Sequence, residues 1–261
     1  MLEEDWEIEA FLYTIFIDIF LVNNISHTTY YLHYTYFLIF LSLFKGIIIA
    51  QDWADLNRYK KHNNVLGKPL PNENRIVFMG NSIIESWESF LPEFFSNKNY
   101  INRGISGQTT PQMLIRFRPD VIDIEPKAVM ILAGINDIAE NTGPATVKMI
   151  TDNIISMAEL AKINDIKVVV CSILPANGFP WNPSIDPDQK INAINTAMKD
   201  YAKKNEMVYL DYYSSMVDDK NELKEDYTYD GVHPNKTGYR VMSDLANKAI
   251  STIFGLNRIN D

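Results

Sequence analysis

Residues 75–80 read Arg-Ile-Val-Phe-Met-Gly (RIVFMG) and run directly into Asn81 and Ser82. Apolar side chains in succession, rather than in alternation, mark a strand covered on both faces, as in a parallel sheet held between helices. Weaker or stronger forms of the same pattern recur at 100–105, 128–134 (AVMILAG), 167–174 (KVVVCSIL) and 207–212 (MVYLDY). Helical patterns separate them. Thr110-Pro111 is a start signal with proline at the first helical position. Gly143-Pro144 opens a longer stretch with Ile150, Ile154, Met157, Ala158 and Ala161 at helical spacing. Residues 188–204 and 237–253 complete the set. Strand–helix alternation predicts an α/β fold with a parallel sheet and helices on both faces. Residues 175–187 (PANGFPWNPSIDP) hold four prolines and are expected to be irregular. Following a strand, they belong near the C-terminal edge of the sheet, where α/β proteins place ligands. There Phe179 and Trp181 would either wall a pocket or pack as a surface loop.

The chain has 261 residues, enough for one α/β domain with a full core. Net charge is -9, and no cluster of Lys and Arg suggests a nucleic-acid footprint. The single cysteine, Cys171, excludes an internal disulfide, and its Val-rich surroundings predict a buried thiol. Residues 1–50 stand apart: they hold six acidic residues and one lysine, with apolar stretches at 11–22 and 36–50. Both are short for a membrane span of about 20 residues. The second ends in Ile-Ile-Ala before Gln51 and resembles the hydrophobic region of a signal peptide, although no Lys or Arg precedes position 45 and Ile48 is large for its place. This predicts export to the periplasm or outside the cell, with cleavage near Ala50–Gln51 and residues 1–35 arising from a start codon placed too early. The alternative is a membrane anchor retained at 36–50. The expected organisation is an apolar segment at 1–50, an extension at 51–74 and the α/β domain at 75–261.

Histidine count is the sharpest filter. Only His27, His33, His62 and His233 are present. Two of these fall in the segment predicted to be removed and His62 precedes the sheet, so His233 is the leading candidate for a histidine base. Asp230 precedes it by three residues in Tyr-Asp-Gly-Val-His-Pro (YDGVHP, 229–234), so the two are either close enough to fix the imidazole tautomer or a solvated loop pair. Ser82, in Gly-Asn-Ser, falls where strand turns to helix; its hydroxyl there is either a nucleophile or a helix N-cap. It is not a G-x-S-x-G elbow, because Ile84 stands at the second glycine position. Loops after the next two strands carry Gly107 (NRGISGQTT, 102–110) and Asn136 (GIND, 134–137). With the Ser82 amide these offer three neutral donors for an oxyanion, or else ordinary turn residues. No H-x-x-x-H, no Cys cluster and no G-x-x-x-x-G-K-[ST] occurs, so neither a metal nor a phosphate-binding loop is expected.

Ser, Gly, Asn and Asp-x-x-His in that order, after successive strands, resemble the SGNH (GDSL-type) hydrolases over about residues 75–250. The blocks fall on Gly80-Asn-Ser82, Ile105-Ser-Gly107, Gly134-Ile-Asn136-Asp137 and Asp230-Gly-Val-His233. Residues 102–110 and Leu174-Pro175 are most similar to the branch of platelet-activating-factor acetylhydrolase catalytic subunits and bacterial carbohydrate acetylesterases. The resemblance implies a flavodoxin-like three-layer α/β/α sandwich with five parallel strands. It implies Ser82 as nucleophile, His233 as base and Asp230 as its orienter, with the Ser82 and Gly107 amides and the Asn136 side chain as oxyanion donors, and no cofactor. Asn81, Arg103 and Trp181 are candidate substrate contacts. Asn81 departs from the Asp of the usual Gly-Asp-Ser, and Gln108 stands where several relatives carry Asp. The expected partner is a small ester, short-chain and chiefly acetyl, of a carbohydrate or a lysophospholipid-like alcohol. Aromatic residues such as Trp87, Phe179 and Trp181 suit either alcohol. Transfer of the acyl group to a sugar hydroxyl by the same residues, or a non-catalytic carbohydrate- or lipid-binding module, are the competing readings.

Overall fold

The computed structural model describes residues 34–36, 52–96 and 99–255. The chain divides into two compact units, Met1–Trp53 and Ala54–Asp261. The predicted cleavage site at Ala50–Gln51, and nearly all of the apolar stretches before it, lie outside the described residues. Among the described residues no helix is long and apolar enough to cross a membrane.

The second unit is built on five parallel strands: β1 (Ile76–Gly80), β2 (Tyr100–Gly104), β3 (Ala128–Leu132), β4 (Lys167–Cys171) and β5 (Val208–Leu210). Their order is β2-β1-β3-β4-β5, all neighbours parallel. That is the flavodoxin-like order, whose switch point lies between β1 and β3. β1 and β3 are buried along their whole length, the physical counterpart of their unbroken apolar runs.

Among the described residues of this unit the α-helices are, in chain order, α1 (Lys60–Leu66), α2 (Ser82–Phe90), α3 (Pro92–Ser96), α4 (Thr110–Asp120), α5 (Ile135–Ile138), α6 (Val147–Ile163), α7 (Asp188–Lys204), α8 (Tyr212–Met216) and α9 (Lys236–Ile253). α2 and α9 pack together on one face of the sheet, and α4, α6 and α7 form the other layer. Trp87 of α2 joins the first pair: it stacks on Phe94 and Tyr239, and its indole N–H donates to Ser243 Oγ at 3.2 Å. Tyr239 of α9 donates its hydroxyl to the Ile83 carbonyl at 2.9 Å. Ser82 begins α2 and His233 lies just before α9, so this packing sets the distance between them. Gly104, at the end of β2, lets α2 approach closely: a Cβ there would lie 2.1 Å from the Glu85 nitrogen.

Residues 54–74, set apart by the sequence pattern as an extension, belong to the same compact unit as the sheet. Ala54 is buried, and its carbonyl accepts from Gln108 Nε2 at 2.7 Å. The Tyr59 hydroxyl bonds to the Gly104 carbonyl. Asn63 Oδ1 receives two N–H groups of Arg103, and its Nδ2 donates to Pro119 O and Asp120 Oδ1. This strap lies over the C-terminal end of β2. These contacts tie residues 54–74 to the sheet within one compact unit. The strap escapes hydrophobic patterning because polar side chains hold it, and no α1 residue is buried.

Candidate active site

Ser82 stands at the end of β1, as the first residue of α2. It is not the N-cap. That role falls to Asn81, whose Oδ1 accepts from the Ile83 amide at 3.0 Å, leaving the Ser82 hydroxyl free of capping. Ser82 Oγ lies 3.0 Å from His233 Nε2 across 151 positions of sequence. His233 Nδ1 lies 2.7 Å from Asp230 Oδ2. A carboxylate can only accept, so the Nδ1 hydrogen goes to Asp230 and Nε2 is left to accept the serine hydrogen.

The loop before His233 is over-determined. Asp230 Oδ1 accepts from the amides of Val232 at 3.0 Å and His233 at 2.7 Å. Thr228 Oγ1 donates to the His233 carbonyl at 2.7 Å and accepts from the Gly231 amide at 2.9 Å. Asn235 caps α9 through the Thr237 and Gly238 amides. Partial burial works against the Asp230 carboxylate, but the two amides and the imidazole outweigh it and hold its pKa below the ordinary carboxyl value.

The predicted oxyanion donors sit at the same sheet edge. Gly107 follows β2 with φ +77, and a Cβ there would meet nothing within 4 Å, so the space beside it is open. Asn136 follows β3 in α5 and is buried; one hydrogen of its Nδ2 goes to the Gln108 carbonyl at 3.0 Å, leaving the other for a ligand. Gln108, the departure noted in the second block, holds this loop from both ends of its amide. Its Nε2 donates to Ala54 O, and its Oε1 accepts from Arg116 Nε at 2.5 Å. An aspartate there could only accept. Arg116, fully buried, also donates to the carbonyls of Gly80 at 3.0 Å and Arg103 at 2.9 Å, and to Asp120 at 2.9 Å. It clamps the ends of β1 and β2, from which the Ser82 and Gly107 loops depart. Sequence alone does not single out Arg116, because nothing in the 110–120 pattern separates a buried arginine from a surface one.

Asp137, next to Asn136, is a second buried group outside the predicted set. Both its oxygens accept from the Thr110 amide, and Oδ1 also from the Thr110 hydroxyl at 2.6 Å. Burial pushes its pKa up to about 6, against the pull of Thr110. Between 3.8 and about 6 the folded chain keeps a proton that the unfolded chain has released. Stability from this group is thus present at low pH and lost as pH rises to about 6, by on the order of 2–3 kcal/mol. Asp137→Asn is expected to flatten the stability profile between pH 4 and 7 in urea titrations; an unchanged slope would refute the assignment.

Aromatic rings flank the imidazole. Tyr229 stacks on His233 at 5.9 Å and 11°, and Trp181 lies at 5.8 Å and 41°. The Trp181 indole N–H donates to Asn141 Oδ1 at 3.2 Å, and Asn141 Nδ2 donates to the Gly107 carbonyl at 3.1 Å. The proline-rich loop thus reaches the base and the second-block loop together. The other candidate contacts are placed differently. Asn81 is buried and serves as the cap. Arg103 is fully buried, bonded to Asn63, His62 and the Asn102 carbonyl and lying over the Tyr59 ring; burial pulls its pKa down to about 10. Its fork is occupied by the strap, so it supports the fold and does not face a ligand. Trp87 and Phe179 are core residues, and of the three named aromatics only Trp181 is exposed. Cys171 is buried as expected, with its thiol pKa pushed up by burial.

Known proteins are similar to this chain in sequence and in fold. A protein from Bacteroides fragilis assigned to the acylhydrolases is 52% identical with a TM-score of 0.76, over 77% of this chain and 98% of that one. A GDSL-like lipase from Bacteroides thetaiotaomicron is 48% identical with a TM-score of 0.75, over 76% and 98%. The human platelet-activating factor acetylhydrolase IB subunit alpha2 is 26% identical over 151 residues, 56% of this chain and 63% of that protein. Across the curated relatives it matches, the chain spans between 34% and 63% of their length. The profile of the GDSL-like Lipase/Acylhydrolase family matches residues 78–241, from within β1 to within α9. With its five-stranded parallel sheet and Ser82, Asn136 and His233 gathered at one edge, the chain belongs to the GDSL-like lipase/acylhydrolase family.

Proposed function

We propose that the protein is a serine esterase that cleaves short acyl esters, chiefly acetyl esters, through an acyl-enzyme on Ser82. One observation carries this reading: the unbroken line from Ser82 Oγ to His233 Nε2 at 3.0 Å and from His233 Nδ1 to Asp230 at 2.7 Å. His233 takes the hydroxyl proton as Oγ bonds to the ester carbonyl carbon. The carbonyl oxygen becomes an oxyanion facing the Ser82 and Gly107 amides and the free Asn136 hydrogen. The C–O bond to the alcohol then breaks, and His233 gives that alcohol its proton. Water repeats the sequence and releases the acid, returning Ser82 to its starting state. A non-catalytic binding role on the same fold would have no need of this aligned Ser–His–Asp set.

The nitrophenyl ester series from acetate to octanoate tests the acyl preference: kcat/KM is expected to fall along it, and a steady rise would overturn the short-chain reading. Asn136→Ala is expected to lower kcat by about 10²–10³-fold with KM little changed, because its free hydrogen meets charge only in the transition state. A change confined to KM would remove Asn136 from the oxyanion site. We also infer export, from residues 36–50 ahead of Gln51. A mature N-terminus near Gln51, read by mass spectrometry of the exported protein, is the expected result; full-length protein retained in the membrane would contradict it.

A further inference from the structure

Beyond the Asp230 edge of the site a cleft of about 310 Å³ opens between two loops. Asn177 and Pro180 of the proline-rich loop line one side; Glu222, Leu223, Asp230 and Gly231 line the other. Small-molecule clefts begin at about this size. Asn177 Nδ2 donates to Glu222 Oε1, so a carboxamide and a carboxylate meet across it. The Glu222 loop is pinned from behind: its amide donates to Asp218 Oδ1, and the Asp218 amide donates to the Glu222 carbonyl, both at 2.9 Å. Among the described residues no Lys or Arg lines this cleft. Lys224, two positions from Glu222, is committed elsewhere: its Nζ donates to the Ser215 carbonyl at 3.1 Å and lies over the Tyr227 ring. The chain after Pro180 continues into Trp181, 45% exposed, and that ring and the 59% exposed Tyr229 flank His233.

His233 must hand its proton to the departing alcohol, so the alcohol side of the substrate lies against this imidazole and its aromatic neighbours. We propose that the cleft beyond them is a subsite for a neutral polyol, a sugar ring joined to the acylated one. The exposed Trp181 indole suits the C–H face of a pyranose, while Tyr229, stacked between Phe90 and His233, offers its edge and hydroxyl. Glu222 and Asn177 supply the acceptors and the donor that sugar hydroxyls need. A phosphate-bearing alcohol would meet the Glu222 and Asp230 carboxylates with no cation in the lining, and like charges repel. The proposal rests on the serine-esterase reading for the direction in which the alcohol leaves.

Titration calorimetry on the full chain carrying Ser82→Ala separates binding from catalysis. Xylobiose is expected to bind with Kd on the order of 1 mM. Asn177→Ala and Glu222→Ala are each expected to weaken it about ten-fold, the effect of losing a hydrogen bond to a charged group. Glycerol 3-phosphate, an alcohol with anionic charge alone, is expected to give no heat. In the active enzyme, Glu222→Ala should lower kcat/KM for mono-acetylated xylobiose about ten-fold and leave ethyl acetate unchanged. Absent xylobiose binding, binding indifferent to both variants, glycerol 3-phosphate binding as tight as xylobiose, or equal losses on both esters would each overturn the subsite. Xylobiose binding by a protein that hydrolyses neither ester would uphold the subsite and refute the esterase reading.

Discussion

Ser82→Ala is expected to lower kcat/KM for nitrophenyl acetate by about 10⁴-fold or more, with no loss of folding stability. The magnitude follows from the chemistry: without Oγ there is no acyl-enzyme, and what remains is the contribution of oxyanion donors and binding. Stability is spared because Asn81, and not Ser82, caps α2, and the Ser82 hydroxyl bonds only to His233 among the described residues. His233→Ala should cost a comparable factor, and the double variant little more than either, because the residues act as one unit. Independent, multiplying losses would contradict a shared pathway. Circular dichroism and urea denaturation of the same preparations show whether loss of activity is loss of chemistry or of fold.

The second large effect concerns the strap. A chain beginning at residue 75 is expected not to fold, whereas one beginning at 52 folds. Removing residues 54–74 takes Asn63 and the Tyr59 ring from Arg103, and the Ala54 carbonyl from Gln108. The buried Arg103 guanidinium then loses its side-chain partners, and Gln108, which holds Arg116 Nε, loses one of its own. Each lost hydrogen bond to a buried guanidinium costs about 1.5–3 kcal/mol, against a total stability of about 5–15 kcal/mol. Asn63→Leu is the finer probe. It leaves the backbone in place but removes the acceptor of two Arg103 N–H groups, and should cost about 2–3 kcal/mol in urea denaturation. A chain starting at residue 75 with full stability would show that the strap is dispensable.

That strap also marks the limit of what sequence pattern reveals. The strands are legible because burial on both faces leaves no polar position, as β1 and β3 show. The 167–174 run extends beyond its strand for a physical reason: Ile173 and Leu174 remain buried after β4 has ended. Asn195 holds Ile173 there, giving and accepting hydrogen bonds with its backbone at 3.0 and 2.8 Å. His233 is legible because so few histidines compete with it, and Asp230 because a three-residue spacing closes one turn. Arg103 and Trp87 are not. An arginine at a strand end reads as a ligand contact until a polar segment distant in sequence covers it, and a tryptophan with Ile83 and Ile84 on the inner face of α2 reads the same as one on an exposed shelf. Arg116 is no more legible, and although Asp137 ends the third block, no motif records that its partner is Thr110.

The central claim is that His233 and Asp230 activate the Ser82 hydroxyl. A fluorophosphonate probe tests it directly, because only an activated serine attacks the phosphorus. Peptide mapping by mass spectrometry should find the adduct on Ser82 in the native protein, and lose it in His233→Ala and in denatured protein. A native protein unlabelled at Ser82, or labelled equally after denaturation, would contradict the account.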